Sequence, residues 1–483
     1  MKLKTLSLIL GPFLFLLILL TGPYEGMSTQ ALAVLACTVW IAIWWITEVI
    51  PIAATSLLPI IIFPLTGALT IAETTQSYGH KFIFLYVGGF MIAVAIEKWN
   101  LHKRIALNVI KLIGTGLSRM VLGFMVATAF LSMWISNTAT SVMMLPIGMA
   151  IVVQFKDIVD KKTLSGFSKA LMMGIAYGAS IGGISTLIGT PPNLVFAGVL
   201  EEYYQFEVEF SSWFALVFPI SFVLLFLCWY YLTNFAFSIS SKKFDGGIDE
   251  IERQLKSLGK LKREERNVLL VFAATGFCWI TRSFLINPFL PYVDDTIIGI
   301  TGALALFLIP AKKGKLLDWE RAVKIPWGIV LLFGGGLAIA EGFKESGLAL
   351  WIGNQMSGLE GMSLIFILFI VVALVNFLTE ITSNLATTSM LLPVLAPIAL
   401  TLDIHPFLLM IGATIAASCA FMLPVATPPN AVVFGSGYLK MGDMVRKGFV
   451  LNVISIILIS LYLYIVLPLA WGIELNEFPT NWK

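Results

Sequence analysis

Charge is what this 483-residue chain has least of: 12% of its residues are Asp, Glu, Lys or Arg and 58% are hydrophobic, where a soluble domain carries about 25% charged residues. That excludes a water-soluble globule, because a surface of this size cannot be clothed by 31 basic and 28 acidic side chains. It also excludes a receptor with a large soluble domain. No Lys/Arg stripe is interleaved with aromatics, and the formal charge is only +3, so nucleic acid is not a partner to expect. The four cysteines, Cys37, Cys228, Cys278 and Cys419, lie in apolar runs without CxxC spacing, which argues for small core residues and against zinc or a disulfide framework. His80, His102 and His405 are scattered, so neither a metal site nor histidine catalysis is suggested. HExxH, GxGD and Ser-His pairings are also lacking, and an intramembrane enzyme is disfavoured.

What is present is apolar sequence in span-length pieces. At about 20 residues per crossing, spans fit Leu6 to Leu20 and residues 31–50, 51–66, 81–98, 170–200, 212–235, 266–283, 292–310, 326–343, 405–436 and 449–472, eleven in all. Lys2 and Lys4 imitate a signal peptide, but Thr21-Gly22-Pro23-Tyr24-Glu25 offers no small-residue cleavage pattern, so a retained first span is expected. Residues 119–155 and 362–400 are each too long for one crossing and carry a polar cluster at the middle. They read as re-entrant hairpins, whose irregular tips must be buried in protein or line a cavity.

Basic residues test this layout. With a cytoplasmic amino terminus, all Lys and Arg except Lys81, Arg282, Lys344 and Lys483 fall on the cytoplasmic side. The carboxyl terminus is then outside, the first hairpin enters from the cytoplasm and the second from outside. The sequence divides into a first span and further helices (1–118), a half with the first hairpin and a broken helix (119–235), a cytoplasmic linker (236–265), the helices of a second repeat (266–361) and a half with the second hairpin and a broken helix (362–483).

The two halves repeat. Val87-Gly88-Gly89-Phe90 recurs as Phe333-Gly334-Gly335-Gly336, Ser136-Asn137-Thr138-Ala139-Thr140 as Ser383-Asn384-Leu385-Ala386-Thr387, and Leu145-Pro146 as Leu392-Pro393, at offsets of 246, 247 and 247. Gly189-Thr190-Pro191-Pro192-Asn193 recurs as Ala426-Thr427-Pro428-Pro429-Asn430 at an offset of 237. Repeats of opposite orientation are characteristic of secondary transporters, which bind solute near the midplane between the copies. Paired prolines at depth should break each long segment into half-helices with exposed termini, and helix termini bind ions.

The tips bear hydroxyls and amides. Ser132 precedes Ser136, and Thr379 precedes Ser383, at a spacing of four that on a helix places both oxygens on one face. With the Asn137 and Asn384 carbonyls and freed backbone carbonyls near Gly189 and Ala426, these are hard neutral oxygens that suit Na+ better than a transition metal. Asn amides and Thr138 can donate to a carboxylate. Between Ser132 and Asn193 the only basic residues are Lys156, Lys161, Lys162 and Lys169, in the expected cytoplasmic connection, and between Leu350 and Pro429 there is none. A dianion bound at the tips therefore has no fixed positive partner and would be heavily penalised unless cations accompany it. The Gly-rich segments read as helix packing. Glu48 and Glu380 are intramembrane acids and functional candidates; for Glu380 a proton-carrying role stands beside a hydrogen-bonding one. Trp40, Trp44 and Trp45 read as membrane-facing or interfacial.

The Ser-Asn-Thr tips, the Trp44-Trp45-Ile46-Thr47-Glu48 sequence and the run from Ala417 to Val433, ASCAFMLPVATPPNAVV, are similar to signatures of the divalent-anion:sodium symporter (DASS) family of di- and tricarboxylate and sulfate carriers. The resemblance implies an all-α polytopic membrane protein with about eleven transmembrane helices, two re-entrant hairpins and an inverted-topology repeat, working as a homodimer by an elevator mechanism. It implies two or more coupling Na+ ions: one site from Ser132, Ser136, Asn137 and the Gly189 carbonyl, another from Thr379, Thr382, Asn384 and the Ala426 carbonyl. Substrate carboxylates would contact Asn137, Thr138, Asn384 and Thr427, with Pro191 and Pro428 beside them. Leu385 departs from the pattern, standing where many members have Thr. The expected function is Na+ symport of a C4-dicarboxylate such as succinate, malate or fumarate across the plasma membrane, in bacteria the inner membrane. A sodium-independent exchanger and a sulfate or tricarboxylate carrier remain alternatives.

Overall fold

The computed structural model describes residues 2–114, 116–156, 158–239, 247–355 and 361–482. Within them the chain is helical; an isolated bridge between Pro310 and Lys315 is the only extended pairing. Part of the expected linker, residues 240–246 with Lys242 and Lys243, lies outside the described residues, as do Lys483 and the side chains of Lys2 and Lys4. Among the described residues, eight helices have the length and apolar composition of a membrane crossing, and shorter apolar helices accompany them.

The two overlong stretches fold as hairpins. Leu117–Ser132 and Asn137–Gln154 form the first, Leu364–Leu378 and Asn384–Thr401 the second. Both turn at their polar clusters with a Ser at the N-cap. The Ser136 side chain accepts from Ala139 N and so satisfies an orphan N–H, whereas Ser383 takes the equivalent place in extended conformation without a side-chain cap bond. The helix therefore stops at Ser132, and the Ser132/Ser136 and Thr379/Ser383 pairs do not share a helical face. That correction follows from the break itself, since a spacing of four aligns side chains only in continuous helix.

The proline pairs break the next segments as expected. The first becomes Lys161–Gly183 and Pro191–Tyr204, the second Pro406–Ala417 and Pro428–Phe434. In each, the two prolines occupy the first turn of the second half-helix, behind an extended Thr190 or Thr427. Neither proline has an N–H, so each half-helix starts with fewer donors than an ordinary N-terminus. Two helices outside the eleven expected spans are amphipathic, Leu101–Ile113 and Gly247–Leu258. They are joined by Arg104, which donates to the Leu258 carbonyl (3.4 Å) and reaches on to Gly259 O (3.0 Å) and to Glu265 of the following helix (2.7 Å), and by the Lys111–Glu252 pair (2.7 Å).

Helices carrying the glycine motifs approach one another at backbone distance, the way helices associate where apolar burial gives no drive. A Cβ on Gly88, in Lys81–Lys98, would lie 2.8 Å from the Gly299 carbonyl carbon, in Asp295–Leu308. One on Gly335, in Trp327–Glu345, would lie 2.8 Å from Ser56 Cβ. These glycines pack helices, as their sequence context indicates.

Candidate functional site

Both hairpin tips and both broken segments converge on one cavity of about 740 Å³. Its wall includes Ser136, Asn137 and Thr138 from the first tip, Thr382, Ser383, Asn384 and Leu385 from the second, and the two proline turns, Gly189 to Pro192 and Ala426 to Pro429. Ten of the twelve sequence-derived positions are thereby placed on the wall, and the remaining two, Ser132 and Thr379, sit behind Asn137 and Asn384 as fully buried hydroxyls. Among the described residues on the wall no Lys or Arg is present; Glu48 is the charged side chain there, at a left-handed backbone position (φ 45°).

The first tip is a cage of oxygens. Ser132 Oγ lies 2.5 Å from the Asn137 amide terminus, which also faces the Ala179 and Gly189 carbonyls at 3.3 Å each. With its nitrogen turned inward, Asn137 donates to all three. With its oxygen inward, four oxygens face one another, an arrangement that a cation satisfies and a hydrogen-bond network alone does not. The loop supplying Gly189 is held rigid: Asn193 donates to the Gly183, Ile184 and Thr186 carbonyls (3.3, 3.1 and 2.7 Å), and Thr186 Oγ1 donates to the Met133 carbonyl across the gap to the hairpin (2.5 Å).

The second tip repeats this with different partners. Thr379 Oγ1 is 2.9 Å from Asn384 Oδ1 and 2.8 Å from the Ala417 carbonyl, and Thr382 Oγ1 lies 2.5 Å from Thr387 Oγ1. Asn430, the counterpart of Asn193, donates to the Ala420 and Leu423 carbonyls (3.1 and 3.0 Å) and takes its own N–H to Thr427 Oγ1 (3.2 Å). Here a carboxylate does additional holding. Glu380, 3% exposed, accepts from Met422 N, Leu423 N and Asn452 Nδ2 at 2.9, 2.9 and 2.8 Å. Its oxygens face the loop and it is not on the cavity wall, so of its two sequence readings the hydrogen-bonding one describes the geometry.

Two features escape sequence reasoning. Trp45 is not membrane-facing: it is 1% exposed, lines the cavity and donates to the Ile52 carbonyl and Ser56 Oγ, both at 3.2 Å. Trp40 and Trp44 pack instead on the first helix, Trp44 donating to the Ser7 carbonyl (3.1 Å). Helical spacing gave no signal, because the chain turns at Glu48 immediately afterwards and folds Ile52–Thr55 back over the ring. The second feature is ionic. Three of the four basic residues that the charge layout sets apart grip one short segment, 201–209: Lys81 pairs with Glu201 (2.6 Å) and Glu207 (3.4 Å), Lys344 with Glu202 (3.5 Å), and Arg282 with Glu207 (2.8 Å), Glu209 (3.2 Å) and also Asp295 (3.3 Å). Burial works to raise the Glu207 carboxyl, but the Arg282 hydrogen bond and Lys81 outweigh it and hold its pKa below the usual glutamate value.

Two opposed hairpins, two proline-broken segments and one shared polar cavity at their junction define a secondary membrane transporter, not an enzyme. The chain belongs to the sodium:sulfate symporter family, the DASS family, whose transmembrane-region profile matches residues 2–475. It is 46% identical to the sodium-dependent dicarboxylate transporter SdcS of Staphylococcus saprophyticus and to that of Staphylococcus aureus, each alignment covering 98% of this chain and 93% of the relative. In fold it is similar to the Alcanivorax borkumensis YdaH transporter, with a TM-score of 0.58 at 12% identity over 83% of this chain and 88% of that one.

Proposed function

We propose that this protein is a sodium-coupled symporter of C4-dicarboxylates of the succinate, malate and fumarate type, located in the plasma membrane. The observation that carries the reading is the cavity wall: two tips rich in neutral oxygen and amide groups with no Lys or Arg among the described residues. A dianion there requires mobile cations to offset its charge, and Na+ suits the oxygen cage of Ser132, Asn137, Ala179 and Gly189. Ser136 completes that site. Thr379, Thr382, Asn384 and the Ala426 carbonyl form the second, and Asn137, Thr138, Asn384 and Thr427 meet the carboxylates, beside Pro191 and Pro428. The near-full-length similarity to transporters named for sodium and dicarboxylate supports the same reading.

The transport is of elevator type in a homodimer. The hairpins and broken segments, in 119–235 and 362–483, move as one body against scaffold helices in 1–118 and 266–361, with 236–265 as linker. The cavity shares Glu48, Ile52, Ile329 and Leu332 with a neighbouring pocket, which, with the amino terminus cytoplasmic and the carboxyl terminus outside, would face the cytoplasm.

Uptake of labelled succinate into proteoliposomes, with and without an inward sodium gradient, tests the proposal. Uptake that needs sodium is expected. Equal uptake in its absence would convert the reading to exchange, and sulfate or citrate outcompeting succinate would replace the substrate class.

A further inference from the structure

The two tips are built by different halves of the chain, yet one buried hydroxyl ties their supports together. Tyr177, fully buried in the helix Lys161–Gly183, donates to the Phe421 carbonyl at 2.6 Å, and the two rings meet edge to face with centroids 5.0 Å apart. Among the described residues no other hydrogen bond joins segment 161–204 to segment 406–434. Each end of this bond belongs to a tip. Two residues beyond Tyr177, the Ala179 carbonyl faces Asn137 at 3.3 Å. The same stretch of helix is pressed on the hairpin arm Leu117–Ser132: a Cβ on Gly178 would lie 2.9 Å from the Met125 carbonyl oxygen, and one on Gly182 would overlap the Ala129 carbonyl. At the other end, Phe421 sits in the turn between Ala417, whose carbonyl accepts from Thr379, and Ala426. That turn is fastened by Phe421 N to Asn452 Oδ1 (3.2 Å) and by the next two N–H groups to Glu380. A Cβ on Gly448 would overlap the Phe421 carbonyl, so the helix Met441–Trp471 leaves room for that oxygen through a glycine.

The tie runs one way. An offset of 238, which matches Gly174 with Gly412, Ala179 with Ala417 and Ser180 with Ser418, sets Ile415 opposite Tyr177, and an aliphatic side chain cannot return the bond. We propose that Tyr177 is a positioning residue that couples the two cation sites, so that sodium bound at one raises the affinity of the other. The proposal rests on the two-site reading above. A cation at the second tip draws the Thr379, Asn384 and Ala426 oxygens together and fixes the turn that carries Phe421. Through the phenol, the helix that carries Ala179 is fixed with it. The first site then has less ordering left to complete, which is positive cooperativity. Linkage makes the effect mutual: each ion favours the other by the same factor, here about tenfold, within the usual range for coupled sites.

The test is binding of radiolabelled sodium to the purified protein, at constant ionic strength and without substrate, beside succinate uptake in proteoliposomes. Two sites coupled about tenfold bind with a Hill coefficient of about 1.5, and that is expected of the unaltered protein. Tyr177→Phe keeps the ring and removes the hydroxyl. It is expected to bring the Hill coefficient to about 1 and to raise half-saturating sodium about threefold. The sodium bound at saturation, and the succinate concentration for half-maximal uptake at saturating sodium, stay the same. Phe421→Leu, which loses the ring contact and keeps the carbonyl, is expected to retain the cooperativity. A phenol that merely supports the fold would lower the melting temperature of Tyr177→Phe and leave the shape and midpoint of the sodium curve intact; that result overturns the inference. A Hill coefficient near 1 in the unaltered protein, or equal loss of cooperativity in Phe421→Leu, overturns it as well, with sodium-driven succinate uptake still standing. If the unaltered protein binds no sodium and takes up succinate equally without it, the function proposed above fails, and the coupling with it.

Discussion

Thr379 Oγ1 stands 2.9 Å from Asn384 Oδ1, the same side-chain relationship that joins Ser132 to Asn137 at 2.5 Å in the other half of the chain. In both, a buried hydroxyl at the end of one hairpin helix fixes the amide that opens the next. Each amide is thereby tethered at the cavity by a hydroxyl of its own hairpin.

On the proposed reading, replacing Asn137 or Asn384 by Ala would remove a carbonyl ligand and a carboxylate donor together. Hydrogen bonds to charged groups contribute about 1.5–3 kcal/mol, so uptake at fixed succinate and sodium is expected to fall by about 10- to 150-fold in either variant, with both concentration dependences affected. Full uptake in both variants would remove these residues from the site.

Glu380→Gln puts an amide where three N–H donors point. The Met422–Leu423 turn loses at least one acceptor, a loss of about 1–3 kcal/mol, and the Ala426 carbonyl on the same loop moves with it. The sodium concentration giving half-maximal uptake is expected to rise about tenfold, with succinate affinity at saturating sodium nearly unchanged. A variant with unaltered sodium dependence and lost pH dependence would instead mark Glu380 as a proton carrier.

Arg282→Gln strips the cation from Asp295, itself 3% exposed. Leaving a buried carboxylate unpaired costs about 3–5 kcal/mol, read as a lower melting temperature in detergent. Asp295→Asn in the same background should recover part of the loss, a coupling that a double-mutant cycle measures.

The depressed pKa of Glu207 has a defined pH signature. A carboxyl lowered in the folded state stabilises fully above its unfolded pKa of about 4.3 and loses that contribution as pH falls through the folded value. Glu207→Gln should lower the melting temperature throughout pH 5–8 and converge with the unaltered protein in more acidic buffer.

Gly88→Ala introduces a Cβ 2.8 Å from the Gly299 backbone and should destabilise by about 1–3 kcal/mol. Gly442→Ala is the control. Nothing lies within 4 Å of a Cβ there, and in the first turn of its helix the exchange is expected to be neutral or slightly stabilising, since glycine loses the most backbone freedom on folding.

Features that obey short-range rules were readable in the sequence. Overlong apolar runs with a polar middle became hairpins, paired prolines became helix starts, and a duplicated Ser-Asn placed the tips on one cavity. What escaped depends on distant partners. No local pattern tells that the Ala179 carbonyl faces Asn137, that Asn452 reaches Glu380 from the last long helix, or that Trp45 is folded inward by the turn after Glu48. The expectation that Ser132 and Ser136 share a helical face failed because the residue that supplies the second hydroxyl is also the one that ends the helix.

The paired prolines have a last consequence. A helix start usually tempts an anion with bare N–H groups, and here Pro191, Pro192, Pro428 and Pro429 withhold them, while the next N–H groups, of Asn193 and Asn430, are turned to Thr190 O and Thr427 Oγ1. A carboxylate arriving alone finds little to hold it, so in the proposed symport substrate leak without its metal escorts would be disfavoured by the shape of the backbone, and the accumulated anion would not run back by itself.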